Sequence, residues 1–188
     1  MATEAITRFG IKEVADVTFY EVVEDSSTET GVKKGTEVLK FDTLKVSNIE
    51  STAENSEARG GKGNAALISW DYGREINVTI EDALMSMECL ALLFGDKDND
   101  NKIVVNANKF PGTYYVEGTT YARNELDGKD HLFTFIIPKA KIQSESTLTM
   151  EAEGDPTVIG MTLKVLRCKN GDMMYLERAE TAIDADTE

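Results

Sequence analysis

Ile76, Val78 and Ile80 alternate with Glu75, Asn77, Thr79 and Glu81. In an extended chain successive side chains point to opposite faces, so this segment carries one apolar row and one polar row on a half-buried strand. Ile159, Met161, Leu163 and Val165 repeat the pattern against Gly160, Thr162 and Lys164. Val17, Phe19 and Val23 do so near the start, with Glu21 as the exception. Strands of this kind need their apolar rows covered by other strands or a helix, which restricts the chain to a mainly β architecture. From Thr36 to Val46 the apolar parity switches between Phe41 and Leu44, and a bulge or bend near Asp42-Thr43 accounts for the switch.

Other segments depart from simple alternation. His131 to Ile142 is apolar on both parities through Ile137, so a strand there is expected to be covered on both faces, with a neighbouring subunit as one candidate cover. Pro138 cannot donate to a ladder, which predicts an edge, a strand end or a bulge, with a bend of the strand at that point. Ser86 to Gly95 has a capping serine, an early acid, good helix formers and a terminating glycine, and reads as the one helix, apolar nearly all round and therefore buried. Ser47 to Asn64 is polar with three glycines and reads as a long loop. Residues 1–12 and the acidic stretch 177–188 read as terminal arms around a body spanning 13–176. The echo of Thr43-Leu44-Lys45-Val46 in Thr162-Leu163-Lys164-Val165 is too short to define a repeat.

Charge and cysteine usage bound the partners. The chain has 188 residues, with 34 acidic against 20 basic side chains and a net charge of -14. A surface of that sign repels polyanions, so tight binding to a phosphate backbone is not expected. No apolar run approaches the roughly 20 residues of a membrane helix, and MATEAITRFG lacks the pattern of a secretory signal, so a soluble cytoplasmic product is expected. Cys89 and Cys168 lie far apart in apolar stretches and read as buried reduced thiols. Without a secretory route, the Asn77-Val78-Thr79 acceptor pattern for glycosylation has no use.

No motif for catalysis or for cofactor binding is complete. Gly60-Gly61-Lys62-Gly63 invites a phosphate-loop reading, but Ser56 stands where the first glycine belongs and Gly63 where a hydroxyl residue belongs, which leaves a flexible hinge. Asp96, Asp98 and Asp100 alternate like the first ligands of a calcium loop, yet Asn101 replaces the turn glycine and Ala107 the bidentate glutamate. The run Ile103-Val104-Val105 looks like a strand, and the aspartates read as a solvated turn. His131 is the only histidine and no nucleophile motif accompanies it, so it reads as a surface or strand-end residue. The chain is therefore expected to be no enzyme, with no catalytic, cofactor-binding or metal-binding residue and no cofactor.

The stretch from Gly60 to Phe94, with LISWDYGRE followed by VTIEDAL and a short apolar helix, resembles the tail tube proteins of bacteriophages. The later GTYYVEGTTYAR, FTFIIPKAKIQSESTLTMEAEGD and TVIGMTLKVL segments are similar to that family in style and order. The resemblance implies a β-sandwich or barrel with one flanking helix, assembled with copies of itself as hexameric rings stacked into a hollow tube. Such a tube carries DNA from capsid to host without binding it tightly, as part of the virion tail assembled in the host cytoplasm. Tail sheath, baseplate and tail terminator proteins are the further partners implied, and no membrane. Similar tubes make contacts between rings through a long hairpin loop and the terminal arms, here Ser47 to Asn64 and the two ends. Carboxylates are expected to line the lumen, on the outward parity of Arg74 to Glu81 or on the Thr36 to Val46 strand. Two other readings share the residues: the inner tube of an injection or secretion system that passes protein, and a β-sandwich ligand-binding module using the Asp96-Asp98-Asp100 turn.

Overall fold

The computed structural model describes residues 8–94, 96–99, 101–126, 128–143 and 159–182. Eight strands form the main sheet: β1 (Phe9–Glu24), β2 (Val32–Phe41), β3 (Leu44–Gly60), β4 (Ala65–Asp82), β7 (Thr113–Asn124), β8 (Asp130–Ile142), β9 (Ile159–Val165) and β10 (Tyr175–Ala182). A helix, α1 (Met87–Phe94), and a small hairpin of β5 (Asp96–Asn99) and β6 (Lys102–Val104) fall between β4 and β7. The fold is mainly β with one flanking helix, as the alternation predicts.

The strand order is β2-β1-β7-β8-β9-β4-β3, with β10 also on β8 and all ladders antiparallel. That order dictates the shape. The terminal strands β2 and β3 are joined by Asp42 and Thr43 alone, so the Cα atoms of Phe41 and Leu44 lie within about 11 Å. A flat sheet with strands ~4.8 Å apart would hold them about 29 Å apart, so the sheet must curl until its ends meet. The expected sandwich or barrel is thus one continuous curled sheet, open because no ladder joins β2 to β3. The bend at Asp42-Thr43 is its corner.

One core fills the curl. Val17, Phe19, Phe41, Val78, Ile80, Val116, Ile137, Ile142 and Leu163 are almost or wholly excluded from solvent. Each such side chain contributes about 1.5–3 kcal/mol by burial. β9 alternates buried and half-buried residues along its whole length, and β4 does so from Ile76 to Asp82. Val23, expected on the inner row, is instead 36% exposed near the end of β1. Phe19 meets Phe41 and Tyr114 edge-on at 5.4 and 5.9 Å. Helix α1 begins where the Cys89 amide donates to Ser86 Oγ at 3.0 Å, and Cys89, Leu92 and Leu93 enter the core while Glu88 faces solvent. Its glycine terminator, Gly95, lies outside the described residues.

Pro138 marks a change of partner. Upstream of it β8 pairs with β10 from His131 to Ile136, and downstream with β9 from Ala140 to Ile142. On the other edge the register against β7 slips between Tyr114 and Val116, so a bulge absorbs the missing donor. The slip also moves the core row from Phe135 and Ile137 to Ala140 and Ile142, while upstream of it Leu132 and Ile136 make up the second apolar parity, on the outer face. On the outer face Leu132 remains 37% exposed, with no second layer over it among the described residues.

Three expectations are corrected. Ser47 to Asn64 is not a loop: residues to Gly60 belong to β3, and only Gly61 to Asn64 turn. The segment carries no apolar alternation because nothing buries either face of its outer part, while the backbone ladder needs none. The 1–12 arm reading fails from Phe9 onward, where β1 pairs with Ala122 to Asn124. The 177–188 tail likewise contributes Glu177–Ala182 to β10, an edge strand that completes the ladder of β8 despite its acidic sequence.

Candidate functional site

The β3–β4 hairpin is far longer than the core requires. Its ladder runs from Leu44↔Asp82 out to Gly60↔Ala65, yet β9 supports β4 only from Asn77 to Asp82. Beyond Ile76 every residue of β4 is exposed, so the outer part is a two-stranded arm projecting from the body. Gly61, Gly63 and Asn64 adopt φ of 78, 92 and 51°, and the Asn64 amide donates to Gly61 O at 3.2 Å. The glycine cluster that resembles a phosphate loop is therefore neither that loop nor a flexible hinge but the turn at the arm's tip. Positive φ explains the glycines without a ligand.

The arm has two unlike faces. At its base the register slips between Thr52↔Glu75 and Glu54↔Tyr72, a bulge centred on Gly73, whose φ is +62°. The bulge changes the parity of β4, so Ile68, Trp70 and Tyr72 do not continue the buried row of Ile76 and Val78. They share a face with Glu54, Ser56 and Ala58 across the ladder. Ile68, Trp70 and Tyr72 are 54%, 53% and 53% exposed, an apolar stripe left uncovered among the described residues. The opposite face holds Asn55, Glu57, Ser69 and Asp71, where Asn55 Nδ2 donates to Ser69 Oγ and, at 2.9 Å, to Asp71 Oδ1. Large apolar side chains grouped in solvent mark an interaction surface. Sequence reasoning singled out the LISWDYGRE strand without noticing that its apolar row is left bare; the period-two spacing of Ile68, Trp70 and Tyr72 against Ser69 and Asp71 was the available signal.

At the root of the arm a groove of about 380 Å³ is lined by Ser51, Arg74, Ile76, Gly171, Met173, Met174 and Leu176. Asp82 is buried at the corner, accepting from Thr43 Oγ1 at 2.5 Å. Beside the corner, burial and secondarily Asp82 push the Cys89 thiol up to about 12, which keeps it protonated. Cys168, in the turn after β9, is also buried and free, and burial raises its thiol too.

The remaining residues flagged in the sequence are scattered. His131 stands at the start of β8 as expected of a strand-end residue, but it is 5% exposed instead of lying on the surface, with Nδ1 3.0 Å from Ala179 O of β10. β10, missed in the sequence, is what covers it. Asp96 and Asp98 lie in β5, paired to β6, and Asp100 is outside the described residues. Asn77 lies within β4 and its Oδ1 accepts from Gln143 Nε2 at 3.4 Å. On the outward parity of β4 Asn77, Thr79 and Glu81 are half-buried, and exposed Glu75 is held by Lys164 at 2.8 Å.

A curled sheet with a bare, amphipathic arm defines a mainly β, surface-presenting protein. The YomU/Tube protein family matches residues 9–100 and 96–176, and the chain belongs to that family of phage-derived tube proteins. It is thus a structural protein of the phage tail-tube type. No curated protein matches the chain.

Proposed function

We propose that this chain is the repeating, non-catalytic subunit of a phage tail tube, closing into hexameric rings that stack into a channel for DNA. The observation that carries the reading is the arm: an apolar stripe of Ile68, Trp70 and Tyr72 on a ribbon that the subunit's own core does not need. A surface of this kind gains about 25 cal/mol for each Å² of apolar area covered by another copy. Free edges on β2 and β3 supply a second means of association, since each presents unpaired backbone groups to a neighbour. The same contact repeated around an axis closes a ring, and a heterologous contact along the axis extends it. Leu132 and Ile136, half or more covered on the outer face of β8, would be buried further by a neighbouring subunit.

The net charge of -14 fits a channel that passes DNA without holding it. Wall carboxylates repel the duplex over roughly 10 Å at 0.1 M salt. Sheath, baseplate and terminator proteins are the partners such a tube would meet in the virion tail. Negative-stain electron microscopy with sedimentation velocity over a range of concentrations tests the proposal. Rings or hollow tubes are expected from the parent protein, and monomers of unchanged melting temperature from an Ile68→Ser, Trp70→Ser, Tyr72→Ser variant. A parent protein that stays monomeric throughout, or a variant that assembles equally well, removes the arm-mediated reading.

A further inference from the structure

Lys33, Lys34 and Lys164 each sit against a carboxylate, that of Asp25, Glu117 and Glu75 respectively. Lys139, Arg167 and Lys169 do not, and they are gathered in one place. None of the three makes an ion pair among the described residues, yet they line one cavity of about 310 Å³ together with Glu24, Thr30 and Cys168. Their placement is built into the backbone. Lys139 follows the Pro138 bulge, and its carbonyl accepts from the Leu166 amide at 2.8 Å. The turn that follows is held by Cys168 N donating to Asp172 O at 2.8 Å and by Lys169 N donating to Thr30 O at 3.1 Å. Gly31, at φ +77°, lets the Lys169 stem close against it, since a Cβ there would lie 3.2 Å from Lys169 Cβ.

Glu24 is the one carboxylate of that lining, so three cations against one anion leave the cavity positive and favour a further anion in it. We infer that this cavity takes carboxylate side chains of a second copy of the chain, making it an ionic contact of the assembly; the inference rests on the tube reading above. A second copy is favoured as occupant by charge complementarity. Each copy brings 34 acids against 20 bases, and exposed acids such as Glu50 and Glu54, on one face of the arm, have no ion pair among the described residues. Copies of net charge -14 repel one another except where a cluster of one sign meets the other.

The test compares the parent protein with Lys139→Gln/Arg167→Gln/Lys169→Gln and with a matched Lys40→Gln/Lys45→Gln/Lys141→Gln variant. Both triples lower the net charge equally, so general repulsion is controlled. Sedimentation velocity and electron microscopy at about 0.1 M salt give the concentration at which each assembles, with thermal melting as the fold control. The first variant is expected to need a concentration about tenfold higher or more, and the matched variant a much smaller increase. Inorganic phosphate, added at millimolar levels, should inhibit assembly of the parent protein. Equal shifts in both triples, or none, overturn the cavity's role while leaving self-assembly intact. Phosphate binding that disappears in the first triple without any change in assembly overturns the second-copy occupant in favour of a small anion. A parent protein that never assembles overturns the tube reading and this inference with it. If the first triple loses its melting transition, Lys139→Gln/Lys169→Gln is read in its place.

Discussion

Gly118 stands opposite Phe135 in the β7–β8 ladder, and the phenyl ring lies where a side chain would be: a Cβ on Gly118 would come within 2.0 Å of it. Gly118→Ala is therefore expected to destabilise the fold by about 1–3 kcal/mol, read from the urea midpoint at constant slope. Ionisation at two other residues predicts opposite pH effects. Asp25, in the β1–β2 turn, is lowered to about 2 by its hydrogen bond from Ser27 and then by Lys33. Its folded value lies below its unfolded one, so its stabilising effect is complete above about pH 4 and is lost as pH falls towards 2. Asp25→Asn should flatten the acid limb of stability in that window. Cys89 is the reverse case: its raised thiol leaves stability intact below its ordinary value of 9.0 and erodes it as pH rises towards about 12. Ellman's reagent at pH 8 should modify Cys89 only on unfolding.

At the scale of elements, the β3–β4 hairpin combines two stabilities in one ladder. Asn77 to Asp82 is paired on both edges and contributes Val78 and Ile80 to the core, whereas the outer part is paired on one edge and buries nothing. Local opening should therefore be much easier outside the Gly73 bulge. In hydrogen exchange on the monomer, amides from Glu54 to Ser69 are expected to exchange orders of magnitude faster than those from Val78 to Glu81, and to become protected on assembly. The helix was legible in the sequence because Ser86 and the apolar run from Cys89 carry local instructions. The outer part of β3 was not, because a strand exposed on both faces needs no apolar row, and the alternation of Ile68, Trp70 and Tyr72 on β4 does not say whether that row meets a core or solvent. β10 escaped for a related reason, since it completes the ladder of β8 through backbone groups that glutamate and arginine carry as well as valine does.

For the whole molecule, charge and curvature act together. With 34 acids and 20 bases, the monomer should leave duplex DNA unretarded in a mobility-shift experiment at about 0.1 M salt, and a clear shift would contradict the passive-channel reading. The curl that brings β2 next to β3 places the ends of both strands at one corner, beside Asp82. The arm leaves from the other end of the core ladder, at Ser51 and Ile76, so edge pairing and arm docking use separate parts of the molecule.

The residues alone determined the mainly β class, the position of α1, the bend at Asp42-Thr43 and the interruption at Pro138, because each depends on side-chain periodicity, capping or a missing amide within a few residues. Tertiary structure decided the rest. Which strands neighbour each other, the curl forced by a two-residue link, the burial of His131 under β10, and the gathering of Lys139, Arg167 and Lys169 around one cavity all depend on backbone pairing between distant segments. Backbone amides and carbonyls are the same in every residue but proline, so that pairing leaves no mark in the local order of side chains.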